Sequence, residues 1–99
     1  MTETVETIDC ITDATVGVWR VHTKRGTVHT WDMDAATVTR SPGADAKALP
    51  LDGVPLPIVL VTAPPMVGFP SAVALRLPDD SEHAVVRASS RVSRIERVA

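Results

Sequence analysis

The chain has 99 residues, 44% of them hydrophobic but only 3% aromatic, and a formal charge of −2. That length supports one small core and no second domain, and the near-neutral balance excludes a global field that would draw in nucleic acid or anionic lipid. Val, Ile and Thr fill 30 of the 99 positions, which suits pleated, half-buried surfaces and argues against long helices.

Residues 4–11 alternate weakly, with acidic side chains on one parity, and read as an edge strand shielded by charge, with a turn at Thr12-Asp13-Ala14. The next stretch, GVWRVHTKRGTVHTWD over residues 17–32, predicts a β-hairpin. Two β-branched runs flank Lys24-Arg25-Gly26, the pattern of a three-residue loop with a type I turn and a G1 bulge, where glycine enters the left-handed region cheaply. In that register Thr23 faces Thr27, Val21 faces His29 and Trp19 faces Trp31. Asp32-Met33-Asp34-Ala35-Ala36 is a polar connection whose aspartates can accept nearby backbone N–H groups, before a third strand at residues 37–40.

Residues 44–57 carry Pro50, Pro55 and Pro57 and a turn signal at Asp52-Gly53; they read as an ordered loop across one end of the core, held by Leu49, Leu51, Val54 and Leu56. A short helical turn is compatible with residues 45–49. Residues 58–62 form a continuous apolar run and are expected to be the most buried strand, ended by Pro64-Pro65. Met66-Val67-Gly68-Phe69-Pro70 is an apolar loop. Residues 71–77 alternate cleanly, with Val73, Leu75 and Leu77 inward and Arg76 outward, and residues 82–88 return as their partner. The tail fits either a short helix, from the three-residue spacing of Val92, Ile95 and Val98, or a tight turn at Ser89-Ser90 followed by a closing strand at residues 92–98. The strand is preferred because residues 1–13 carry four acidic groups, whereas residues 87–99 carry four arginines against Glu96, so adjacent ends would be complementary.

Candidate chemistry is sparse. His22, His29, Asp32 and Asp34 are the only nearby metal-ligand set, but the hairpin register points the two imidazoles to opposite faces, so both read as solvent-facing strand histidines and no metal site is expected. Asp32-Met33-Asp34 reads as turn aspartates rather than a cation site. No serine sits in a nucleophile elbow and no glycine loop cradles phosphate, so neither catalytic residues, a cofactor nor a small-molecule substrate is evident, and the chain is expected not to be an enzyme. Cys10 cannot form an internal disulfide and reads as a small strand residue. The start of the chain lacks the basic residues and apolar run of a signal peptide, and no run reaches the ~20 apolar residues of a membrane span, so the cytosol is the expected compartment and no membrane partner is expected.

Binding is the class left open. Trp19 and Trp31 are needed for the core in a chain so poor in aromatics, yet either can serve as a recognition surface, Trp31 being nearer a strand end. Met66 and Phe69, between rigid prolines, are a second candidate contact. Lys24 and Arg25 at the hairpin tip, with Arg91, Arg94 and Arg97, would carry any nucleic-acid contact, although no stacking aromatics are interleaved with the tail.

The run GVWRVHTKRGTVHTWDMD, followed by residues 37–43, resembles small all-β proteins of high-GC actinobacteria and their phages. The similarity covers about the first half of the chain and residues 90–98, and implies no catalytic or binding residue. The expected fold is a small antiparallel barrel or rolled sheet, SH3-like, of six to eight short strands with one long ordered loop. The expected function is binding of a protein partner or self-association that covers edge strands; a phage-derived or accessory structural component and a nucleic-acid-binding module are the alternatives.

Overall fold

In the computed structural model, which describes residues 4–99, every regular element is a strand. These are β1 (Val18–Thr23), β2 (Val28–Asp32), β3 (Thr37–Ser41), β4 (Leu56–Ala63), β5 (Pro70–Leu77) and β6 (Asp80–Arg97). They pair antiparallel in chain order, and β6 returns to β1 to close a six-stranded barrel. No helix among the described residues is long and apolar enough to cross a membrane.

The β1–β2 hairpin has the expected register: Trp19 pairs with Trp31 and Val21 with His29. Gly26 closes its turn at φ +90°, donating its N–H to Thr23 O. After β2, Asp32 Oδ1 accepts the N–H groups of Asp34 and Ala35, and Asp34 Oδ1 accepts that of Gly17. Both aspartates are therefore turn-builders, and Ala36, two residues after Asp34, takes φ 56°.

Barrel closure depends on the length of β6. Its first part pairs with β5 as far as Arg91, and Val92 to Arg97 then pair with β1. The tail is thus a strand, but the expected turn at Ser89-Ser90 is absent: the strand runs unbroken through 18 residues. Hydroxyl bonds hold the place where β6 changes partner, Ser89 Oγ accepting from Ser71 N–H and donating to Ser90 O.

Residues 4–11 do not form a strand. They touch the barrel through single bridges, Thr7 to Glu96 and Cys10 to Met66, with Arg97 Nη1 3.3 Å from Glu6 Oε1. The acidic and basic ends do lie side by side, but the ladder is too short to count as an element. Ile11 completes the core with Trp19, Val21, Trp31, Val38, Leu56, Val73, Leu75, Val92 and Ile95.

The largest departure from expectation is β4. The apolar run at residues 58–62 was expected to be the most buried strand, yet Val59 and Leu60 are 48% and 59% exposed. The reason lies in β3, whose pairing with β4 is limited to Thr37 with Pro57 and Val38 with Leu56. Beyond Ile58, whose N–H reaches Ala36 O, β4 pairs only with β5 among the described residues, and no strand covers its other side. A continuous apolar run is buried only where neighbours cover it, and here they are missing.

Candidate functional site

Two hollows share no lining residue and differ in chemistry. The first, about 540 Å³, lies at the barrel end below the β1–β2 turn, between Thr27 and His29 on the β2 side, Arg40 of β3, the loop at 45–49 and Ser89 and Ser90 of β6. A smaller hollow of about 360 Å³ shares His29, Arg40, Leu49 and Ala88 with it and adds Arg87. Asp52 organises this end. Arg40 Nη1 donates to both its oxygens, at 2.7 and 2.8 Å, and Leu49 N–H donates to Oδ2. Arg87 Nη1 stands 3.6 Å from Oδ1, while Arg87 Nη2 donates to Pro50 O. The long loop is ordered, as expected: Leu51 and Leu56 pack in or on the core, but Leu49 and Val54 are exposed, and these charged contacts add to the hold. Burial alone would raise the Asp52 pKa, but hydrogen bonds from Arg40 and Leu49 and the charges of Arg40 and Arg87 hold it below the usual carboxylate range.

His29 faces into this end and is 6% exposed, which corrects its reading as a solvent-facing strand histidine. It shares a face with Trp31 because both occupy the inward parity of β2. Desolvation, reinforced by the charges of Arg40 and Arg87, lowers its pKa to about 4, so the ring is neutral near pH 7. Among the described residues, its Nδ1 is buried without a hydrogen-bond partner, and so is Arg87 Nη1.

The second hollow, about 550 Å³, is an apolar groove beside the open side of β4. Trp31, Met33, Ile58 and Val61 line it, with Pro64 and Pro65 among its other wall residues and Cys10 among those of the N-terminal segment. Trp31 Nε1 is buried without an acceptor. On the outer face of the same sheet, Leu60 pairs with Ala74 and Ala74 with Val86, giving an outward apolar row across three strands. Ala63, Ala72 and Ala88 make a second such row.

No known protein family, curated protein or solved structure matches this chain. The sites are therefore read from their own chemistry. Of the residues singled out in the sequence, Trp19 and Trp31 are fully in the core and offer a partner no free area, because the hairpin turns both indoles inward. Trp19 Nε1 donates to Val16 O, and the Arg97 guanidinium sits 5.6 Å from its ring centre. Met66 and Phe69 are exposed, at 40% and 59%. The basic residues divide. Lys24 and Arg25 sit at the hairpin tip beside Arg91, where Lys24 N–H reaches Arg91 O, whereas Arg94 pairs with Glu96 and Arg97 with Glu6. Glu96 also gathers Arg20 and His22, and the His22 hydrogen bond, aided by these charges, lowers its pKa. His22 points outward to Glu96 and His29 inward, so the register-based expectation that the imidazoles diverge holds.

Two functional features escaped the sequence reading. One is the Asp52, Arg40 and Arg87 cluster, whose members are 12 and 35 positions from Asp52 and carry no local pattern. The other did leave a signal: no charged residue occurs between Asp52 and Arg76. A stretch of that length without charge, containing a strand, marks surface that no charge protects from pairing.

Proposed function

We propose that this chain is a protein-binding β-barrel that acts as a homodimer, joined through the open side of β4. The observation that carries this reading is that, among the described residues, residues 59–63 pair with β5 alone, are largely exposed, and carry no charge. Edge strands of stable monomers are usually blunted by lysines, inward charges or prolines within the strand. Here Pro57 and Pro64 stand at either end of the open segment and leave it free. A second copy is the occupant that suits it. Antiparallel pairing about a two-fold axis sets an uncharged apolar strand against itself, so no like charges meet and the same groove is filled from both sides. An acidic or basic partner would find no counter-charge on β4.

Irregularities between Ile58 and Leu60 and between Val61 and Ala63 keep any new ladder short. A standard interface takes about 800 Å² from each partner, so the contact must extend from the edge into the groove beside Val61 and Pro64. Pairing would also continue the Leu60–Ala74–Val86 row into the second protomer.

Light scattering coupled to size exclusion, run over a wide concentration range, tests this. A two-fold increase in mass with concentration is expected, and Val59→Lys or Leu60→Lys should raise the dissociation constant at least tenfold without altering the melting temperature of the monomer. A chain that stays monomeric throughout, or a dimer indifferent to both lysines, would sink the reading.

A further inference from the structure

The polar end of the barrel carries an imbalance that the fold does not resolve. Two guanidiniums, Arg40 and Arg87, have side chains only 12% and 8% exposed, and they share one carboxylate, that of Asp52. Buried charge without a counter-charge is strongly unfavourable, and it is stabilised when an opposite charge arrives from solution. Two buried polar atoms at this same end, Arg87 Nη1 and His29 Nδ1, have no hydrogen-bond partner. Around the opening stand Arg25 and Lys47, with the hydroxyls of Thr27 and Ser90, while the Ser89 hydroxyl is engaged with Ser71 and Ser90 O; Asp45 is the one carboxylate among the lining residues of the larger hollow. Counting Arg25, Arg40, Lys47 and Arg87 against Asp45 and Asp52 leaves an excess of two positive charges.

We propose that this end of the barrel is a binding site for a tetrahedral oxyanion, the phosphate group of a small phosphate ester or free phosphate. The distribution of donors selects that shape. A carboxylate offers two acceptor oxygens in one plane, whereas a phosphate offers oxygens in several directions. Here the cations and hydroxyls come from the β1–β2 turn, β3, the 45–49 loop and β6, so they converge from several directions on an anion with more than two acceptor oxygens. The hollow of about 540 Å³ leaves space beyond a phosphate for a small organic portion, against the aliphatic surfaces of Ala46, Leu49 and Ala88. A neutral His29 is a fitting member, since with its proton on Nδ1 it donates to an anion without adding a third buried charge. The site shares no residue with the groove beside β4 and does not depend on dimerisation.

The histidines provide the readout. In NMR of the full chain, inorganic phosphate and glycerol 3-phosphate are titrated separately, with acetate as the planar control at matched ionic strength. Saturable movement of the His29 ring resonances is expected with the phosphates and not with acetate, together with a rise in the His29 pKa, because a bound anion reverses the influence of Arg40 and Arg87. His22 and His83, each already paired with a carboxylate, should stay unmoved and serve as internal controls. Tighter binding of glycerol 3-phosphate identifies an ester as the preferred source, and tighter binding of inorganic phosphate the free anion; either supports the site. Arg87→Gln should abolish the response. Because Arg87 also holds the loop, Lys47→Ala and Arg25→Ala at the exposed rim are the second test, each expected to weaken binding several-fold in a folded protein. No saturable shift, an equal response to acetate, or equal movement of all three histidines would overturn the proposal.

Discussion

The barrel has two places where a strand outruns its neighbour, and they are finished in opposite ways. At one, β6 pairs with β5 before it reaches β1, and Arg87 in the stretch without β1 reaches the loop carrying Pro50 and Asp52, which Arg40 also fastens. At the other, β4 runs on past the end of β3, and only an apolar groove lies beside it. The first gap is bridged within the chain by charge-assisted hydrogen bonds, which need long polar side chains reaching across from β3 and β6. The second offers only apolar side chains and free backbone groups, which another strand can satisfy but a charged loop cannot. The difference teaches that an uncovered edge becomes a polar pocket or an interface according to which side chains are nearby.

The largest effect that tests this contrast compares Trp31 with Leu60, the first 1% and the second 59% exposed. Trp31→Ala should lose about 3–5 kcal/mol of unfolding free energy, the usual range for emptying a buried aromatic site. Leu60→Ala should change it by no more than about 0.5 kcal/mol, as for other surface positions. Urea denaturation, at a concentration low enough to keep the chain monomeric, reads both. A large loss at Leu60 under those conditions would mean that β4 is covered after all.

The polar end should show itself in the pH dependence of stability. His29 binds a proton near pH 6.5 in the unfolded chain but only near 4 when folded. Between these values the unfolded state holds more protons, so stability is full above pH 6.5 and falls as the pH drops toward 4. At about 1.4 kcal/mol per unit the loss is roughly 3 kcal/mol. Asp52 and Glu96, whose carboxyl pKa values are lowered on folding, add a further loss once the pH falls through their folded values. His29→Gln should flatten the curve between pH 6.5 and 4 and leave the more acidic limb. A wild-type curve already flat in that interval would show that the imidazole is not buried in neutral form.

The smallest effect belongs to Glu96, which gathers Arg20, His22 and Arg94 on the outer face of β1 and β6. The partners' side chains are one-third to one-half exposed, so solvent screens the cluster. Glu96→Gln should lose less than about 1 kcal/mol, and less still in high salt. An effect as large as that of His29 would show that surface charge, rather than the buried end, dominates the electrostatics of this barrel.

Much of the fold was legible because its determinants are local. Gly26 after Lys24-Arg25 sets the turn, and the turn sets the pairing of Trp19 with Trp31; the turn aspartates and the alternation of Val73 and Leu75 are likewise read within a few residues. The same register already contained the orientation of His29, on the parity of Trp31, although its polarity argued for the surface. The candidate sites were less accessible. Asp52 meets Arg40 and Arg87 only after β3, the long loop and β6 have come together. The Ser89-Ser90 pair has the composition of a turn, yet β6 runs through it because each half of the strand has a partner waiting.

The limits of each level follow from the range of the forces involved. Turn type, side-chain alternation and the absence of charge between Asp52 and Arg76 are properties of short segments, and they specified an all-β chain, its first hairpin and an uncharged apolar stretch. Whether that stretch is core or surface depends on where β3 stops, and whether two distant arginines become a buried cluster depends on barrel closure by β6. Burial and charge pairing are settled by neighbours in space, and no segment carries its neighbours in its own composition.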